Sequence, residues 1–203
     1  MSCCEPKTFP LCLDSCEAVE FFNIKILYIF DLRIVCIKPD SKEVTMSAYG
    51  YKYEMEYVMS YIAMLDQPQV IGPVAEGLRL NFNVTGGTVE GPKIKGKFIP
   101  VGADWLTVRT DGIGVLDVRA TIQTDDDALI YLYYKGLTDL GPDGYKNTME
   151  GAPPPPEGIE IRTNPWFQTA HPNYQWLTRG FFVEIGKVFL DKGEVCYDIY
   201  QLR

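Results

Sequence analysis

From residue 78 to residue 136, apolar and polar residues alternate in short runs, and turn-forming residues break the alternation about every eight to twelve positions. The breaks are Gly86-Gly87, Gly91-Pro92, Val101-Gly102, Asp111-Gly112 and the run Asp125, Asp126, Asp127. This rhythm predicts antiparallel strands over residues 78–84, 94–99, 104–109, 115–123 and 129–135, assembled as a sandwich or a barrel. Residues 23–37, dense in Ile, Leu, Val, Phe and Tyr, predict a first strand, and residues 159–163, 181–188 and 195–202 predict the last ones. Residues 1–22 have no sustained period and read as an irregular arm. Residues 140–158, with prolines from Pro153 to Pro156, read as an exposed loop, and residues 174–178 as a helical turn or bend. Tyr51, Met55, Val58, Met59, Ile62 and Ala63 fall at helical spacing, so residues 52–65 are the one helix candidate, although Tyr49, Tyr51 and Tyr53 alternate as in a strand. That helix would belong to an insertion, residues 43–72, covering one mouth of the β-structure either as packing or as a lid of adaptable methionines. The late strands need early ones as partners, so residues 23–203 are expected to form one domain.

Composition narrows the partners. A chain of 203 residues with 46% apolar and 13% aromatic residues suits one large all-β domain with a ring-lined interior. A net charge of −8 argues against nucleic acid and against anionic membrane surfaces, both of which recruit basic faces. No apolar run is long enough to span a bilayer, and the first residues lack the basic-then-apolar pattern of a secretory signal, so a cytoplasmic protein is expected. Of the six cysteines, Cys3, Cys4, Cys12 and Cys16 crowd the arm, without a Cys-x-x-Cys pair or a nearby histidine to make a zinc set. Reduced thiols are the expectation, with Cys36 and Cys196 in strands.

Several motifs then stand together: Gly86 to Pro92 (GGTVEGP), Gly102 to Trp105 (GADW), Val108 to Gly112 (VRTDG), Leu116 to Tyr131 (LDVRATIQTDDDALIY) and Arg162 to Leu177 (RTNPWFQTAHPNYQWL). In kind and order they resemble the family known as domain of unknown function 3237, of the UPF0311 type, over about residues 24–40 and 76–203. The resemblance implies an all-β fold, a closed antiparallel calycin-like β-barrel, and the 52–65 candidate would then be a short helical insertion. It implies no general activity, although some fungal relatives belong to natural-product pathways. Asp127 stands where the family usually has glycine, so the turn before Ala128 is expected to be built differently. Glu160-Ile161, Phe167-Gln168-Thr169 and Trp176-Leu177-Thr178 also depart from the family pattern, in loops and expected pocket positions.

Candidate chemistry follows from the motifs. Along residues 115–123 one face carries Asp117 and Arg119, the other Leu116, Val118, Ala120 and Ile122. An apolar core face would leave the charged pair in water; its place in a family motif sets beside that, with equal weight, an inward pair that grips a ligand carbonyl or phenolate. Tyr131 is a candidate general acid, with Tyr133 on the same face. His171, the one histidine, is a candidate base or an exposed loop residue, and Arg162 a candidate oxyanion partner or a plain ion pair with Glu160 or Asp117. Trp105, Tyr133, Phe167, Tyr174 and Trp176 would shape a binding wall. No metal set, nucleotide fingerprint or hydrolase elbow is present, so no cofactor is expected. The leading expectation is a cofactor-independent enzyme (dehydratase, isomerase or cyclase, a cycloaddition catalyst included) acting on an aromatic or polyketide-like small-molecule substrate inside the barrel. The alternative is a non-catalytic binding protein for an apolar metabolite, and a homo-oligomer is left open.

Overall fold

The computed structural model describes residues 50–203 throughout and, before them, the backbone of three short strands. The chain divides into two units, residues 1–44 and 45–203. In the first, β1 (Val19–Phe21), β2 (Ile24–Leu27) and β3 (Val35–Ile37) form an antiparallel sheet in the order β1-β2-β3. The continuous strand expected over residues 23–37 is therefore two strands folded back on each other, with Leu27 opposite Val35. β1 falls within the stretch expected to be irregular. The readings of Cys3, Cys4, Cys12 and Cys16 lie outside the described residues.

The second unit is a closed antiparallel barrel of eight strands with a ninth attached at its edge. Its strands are β4 (Met55–Leu65), β5 (Gln69–Val74), β6 (Gly77–Glu90), β7 (Lys95–Val108), β8 (Ile113–Thr124), β9 (Leu129–Asp139), β10 (Ile159–Gln168), β11 (Phe181–Phe189) and β12 (Glu194–Leu202). The order is β4-β12-β11-β10-β9-β8-β7-β6, and β6 returns to β4 to close the ring. β6 divides one edge between two neighbours: its first half pairs with β5, its second half with β4. Closure removes the open edges that an isolated sheet of alternating strands would expose.

Residues 55–65 are thus a barrel stave and not a helix. The register between β4 and β12 slips where Met59 pairs with Ile199 but Tyr57 with Tyr200, leaving Val58 as a bulge. Val58 and Met59 are consequently both buried, and beyond them Tyr61 and Ala63 continue with period two. Outward-facing Met55 and Ile62, both exposed, complete by accident the spacing of a helix face. The same residues correct the lid reading of 43–72: β4 and β5 are part of the sheet.

Two of the expected turns are bends inside strands. Gly86-Gly87 lies within β6 and Val101-Gly102 within β7, which therefore joins the two strands expected at 94–99 and 104–109. Both sites carry register shifts, as β-bulges do. Glycine is required there by close approach: a Cβ on Gly87 would lie 2.1 Å from the Ile62 carbonyl oxygen, and one on Gly102 2.0 Å from that of Arg119. These bends let long strands curve around a small barrel.

The loop expected over 140–158 contains a helix, α1 (Gly144–Glu150), ended by Gly151 at φ 67°. A 3-10 helix, Pro172–Arg179, occupies the stretch expected to bend near 174–178. Asp127 takes φ 64°, the left-handed conformation that glycine favours, so the turn keeps that geometry despite the substitution. Gln123 Nε2 donates to its Oδ1 at 3.1 Å. The main core gathers Met59, Ile122, Ile130, Leu132, Phe182 and Ile199 inside the barrel, and a smaller cluster of Leu78, Leu80, Phe82 and Val108 packs toward Leu140 and Tyr145 at one end.

Candidate functional site

Between those two clusters the barrel is hollow. A cavity of about 980 Å³ opens at the end where β9 finishes and β10 begins. Gln67 and Pro68 flank its mouth on one side, α1 and the proline run on another, and Asp191 on a third. Phe82, Phe98, Leu116 and Leu132 supply apolar wall; Asp104, Tyr61, Tyr134 and Thr138 supply the polar atoms. A ligand cavity of this size matches those that enclose drug-sized molecules.

Asp104 reaches the interior because it pairs with Phe82 on one side and Val118 on the other, both inward positions. The Asp117 amide donates to its Oδ1 at 3.1 Å, and Oδ2 has no hydrogen-bond partner among the described residues. Burial pushes the Asp104 carboxyl up to about 7, against the opposing effect of that amide. Glu184, on β11, is wholly buried. The Thr163 hydroxyl donates to its Oε2, and the Tyr61 hydroxyl to its Oε1 at 3.1 Å. Burial pushes this carboxyl up to about 8, with the two hydroxyls opposing.

Three phenols complete the interior. Tyr197 stacks obliquely on Tyr61 at 5.3 Å and meets Tyr134 edge-on at 5.7 Å. Its hydroxyl is buried beside the hydroxyls of Tyr134 and Thr163. Burial raises all three phenols; for Tyr61 and Tyr134 the charge of Glu184 is the next cause, and Tyr134 also feels Asp104. The arrangement is two carboxyls held near neutrality, one exposed to the cavity directly and the other through the Tyr61 hydroxyl. Such groups can both give and take protons at neutral pH.

None of the ten residues singled out from the sequence lines this cavity. Asp117, Arg119, Tyr131 and Tyr133 alternate with the buried residues of β8 and β9 and so face outward. Arg119 bonds Asp117 at 2.9 Å and stacks between Trp105 (5.2 Å) and Tyr133 (5.0 Å) on the outer wall. The inward reading of the Asp117–Arg119 pair is corrected on that ground: the apolar face of β8 is the core face. Arg162 is exposed and bonds Glu160 at 3.0 Å, which is the plain ion-pair alternative.

The remaining four stand at the opposite end from the mouth. Phe167 is buried edge-on against Phe182 at 5.2 Å, and Trp176 packs on the same ring. The Tyr174 hydroxyl donates to Asp126 at 2.7 Å, and the Thr124 and Tyr174 hydroxyls hold that carboxyl below its ordinary value. His171 is half-buried beside Tyr174, 5.4 Å between rings, with Nδ1 enclosed and unpartnered. Among the described residues no three His, Cys, Asp or Glu side chains gather as a metal set, and no helix is long and apolar enough to cross a membrane.

The interior groups left a faint trace in the sequence. Glu184 stands in phase with Phe182 and Val188, a carboxyl on the apolar face of its strand. Tyr134 likewise follows Ile130 and Leu132. Asp104 was hidden by the Gly102 bulge, which breaks the phase of β7, and Tyr61 by the helix pattern around it.

Comparison with known proteins agrees with the barrel. A UPF0311 protein of Rhodopseudomonas palustris is 33% identical over 150 residues, 73% of this chain and 96% of its own. A structure of a beta-barrel like protein from Acinetobacter baumannii superposes with a TM-score of 0.64 at 30% identity, covering 74% of this chain and 96% of that one. A structure described as an enzyme from Penicillium herquei has a TM-score of 0.55 at 18% identity, covering 74% and 95%, a likeness of fold. The family model described as protein of unknown function DUF3237 matches residues 53–202, taking in β4 and β5 but not residues 24–40. The chain belongs to the DUF3237 family.

Proposed function

We propose that the barrel interior is an acid–base site and that the protein is an enzyme for proton-transfer chemistry on a small, largely apolar molecule: dehydration, isomerisation or cyclisation. The observation that carries this reading is Asp104, near 7, in the wall of a cavity with aromatic sides, with Glu184, near 8, one hydrogen bond behind the Tyr61 hydroxyl that lines the same cavity. Asp104, with a free oxygen and appreciable ionisation at neutral pH, takes a proton from a carbon or oxygen acid of the substrate. Tyr61 returns one at a second position and, its hydrogen bond with Glu184 reversing, is refilled from the neutral carboxyl. Asp104 then stands protonated and Glu184 ionised, and Asp104 losing a proton to solvent while Glu184 gains one resets the site. Phe82, Phe98 and Tyr134 favour a flat, unsaturated substrate, an aromatic or polyketide-like one. The barrel tolerates catalysis as a scaffold, since the Penicillium herquei chain of similar fold is an enzyme.

The test reads the proton transfer itself, whatever product follows. Hydroxyaryl ketones that bind the parent would be incubated in deuterium oxide, and exchange at carbon followed by NMR. Asp104→Asn and Tyr61→Phe should each slow exchange about 10²–10⁴-fold while leaving binding of these uncharged ketones within about threefold. Bound ketones that exchange no faster than in buffer, or variants that match the parent, would return the cavity to the carrier reading.

A further inference from the structure

The cavity is charged in one sense only. Besides Asp104 in its wall, Asp139, Glu160 and Asp191 stand at its mouth, and among the described residues no Lys, Arg or His lines it. The cations nearest along the chain are engaged elsewhere. Arg79 lies on the outer side of β6 and donates to the Trp105 carbonyl at 2.6 Å. Arg162 bonds Glu160 from outside, Lys187 reaches the Glu157 carbonyl at 3.3 Å, and Lys192 lies over the Phe189 ring at 4.9 Å. Within, Asp104 is 9% exposed and keeps Oδ2 free of the described residues, with Phe82 its partner across the strand pair and Tyr134 close enough to feel its charge, while Phe98 and Tyr61 line the same cavity.

We infer that the substrate is a lipophilic amine, its protonated nitrogen paired with Asp104 and set against aromatic rings. An aromatic box with one buried carboxyl is the chemistry that recognises an organic ammonium: the rings attract the cation by their quadrupoles and the carboxylate neutralises it. A carboxylate or phosphate ligand would meet Asp104 inside and Asp139 and Asp191 at the mouth, with no cation in the lining to offset its charge, and is disfavoured. The volume of about 980 Å³ admits a polycyclic skeleton around the nitrogen. The inference rests on the cavity being the working site, as proposed above, and narrows what enters it.

Three probes of one shape separate the possibilities: 2-naphthylmethylamine, 2-naphthylmethanol and 2-naphthoate, titrated by calorimetry into the full-length chain. At pH about 7.5 the amine should bind about tenfold or more tighter than the alcohol, and the naphthoate should not bind detectably. Asp104→Asn should shrink the preference for amine over alcohol to about threefold or less while the alcohol binds as before. A measurement on the parent guards against a variant that fails to fold. Arg79 on β6 and Asp117 on β8, both outward, and Tyr134 on β9, inside, are the charged or titratable groups whose fields reach Asp104, and the amine preference should fall as pH is lowered to about 5.5 and Asp104 keeps its proton. An alcohol that binds as tightly as the amine, or a preference indifferent to Asp104→Asn and to pH, overturns the amine inference and leaves the acid–base reading standing. Binding of none of the three overturns both.

Discussion

Replacing Glu184 by glutamine isolates the energetic consequence of an acid buried in the barrel. Glu184 is raised from 4.5 to about 8 by complete burial. Because this is an acid whose folded value lies above the unfolded one, the native state holds a proton that the unfolded chain has released throughout the interval between them. Stability contributed by the neutral group is therefore full below about 4.5 and is lost as pH rises toward 8. One proton changes stability by about 1.4 kcal/mol per pH unit across that window, so the whole loss is on the order of 4–5 kcal/mol. Asp104, raised from 3.8 to about 7, adds a second proton over the lower part of the same range. Together the two should give the parent a slope of about 2.7 kcal/mol per pH unit between pH about 4.5 and 7, falling to about 1.4 between 7 and 8. Losses of that size compare with the entire stability of an ordinary domain, about 5–15 kcal/mol.

The glutamine variant keeps the shape and both hydroxyl contacts: its carbonyl accepts from one of Thr163 and Tyr61, and its amide donates to the other. Urea denaturation at half-unit steps from pH about 5 to 9 should show its slope halved below pH about 7 and abolished above, with the variant the more stable protein on the alkaline side. Asp111 and Asp126 do not blur the result, because their values are lowered and their linkage lies on the acid side of the window. A parent whose stability is level from pH about 5 to 8, or a variant with the parent's slope, would refute the burial argument.

Met59→Ala, at a wholly buried position of β4, should cost about 2–5 kcal/mol in denaturant unfolding, whereas Ile62→Ala on the outer face should cost under about 1 kcal/mol; equal costs would contradict the stave assignment. Asp127→Gly should stabilise by about 0.5–1 kcal/mol, since glycine reaches φ 64° without a side-chain clash, and a lower melting temperature would show that the Gln123 contact outweighs the strain. Arg119→Met should leave amine binding to the cavity unchanged and alter stability by no more than about 1 kcal/mol, because its ion pair and ring contacts are on the half-exposed outer wall; a lost binding site would put that wall in the chemistry after all.

What could be read from the sequence follows from where the strand period stays intact. Along β8 and β9 buried and outward residues alternate without a break, and the strands expected at 115–123 and 129–135 fall inside the observed ones. Where bulges shift the phase, the period misleads: Val58 made a stave look helical, and Gly86-Gly87 and Gly102 looked like turns although the strands run through them. The candidate site suffered differently. Charged motif residues drew attention to Asp117, Arg119 and Arg162, yet polar residues recur in outward phase on any barrel that faces water, and these three do so. The informative residues were those out of keeping with their phase, a Glu between Phe182 and Val188 and a Tyr after Ile130 and Leu132, whose significance depends on knowing which face closes inward.

That misfit also bears on why the interior is as it is. A core position in phase with Phe182, Ile161 and Leu132 is best filled, for stability alone, by another aliphatic or aromatic residue, and replacing a buried ionisable group by such a residue is often neutral or stabilising. Glu184 instead requires Thr163 and Tyr61 to satisfy its oxygens, and those hydroxyls are themselves costly unless paired. Asp104 uses a main-chain amide of the neighbouring strand for one oxygen and leaves the other toward the cavity. Fold specification gives no account of two buried carboxyls in a largely apolar barrel, whereas proton transfer to an enclosed ligand requires groups of this kind, held near neutrality, one of them with an oxygen left for the ligand.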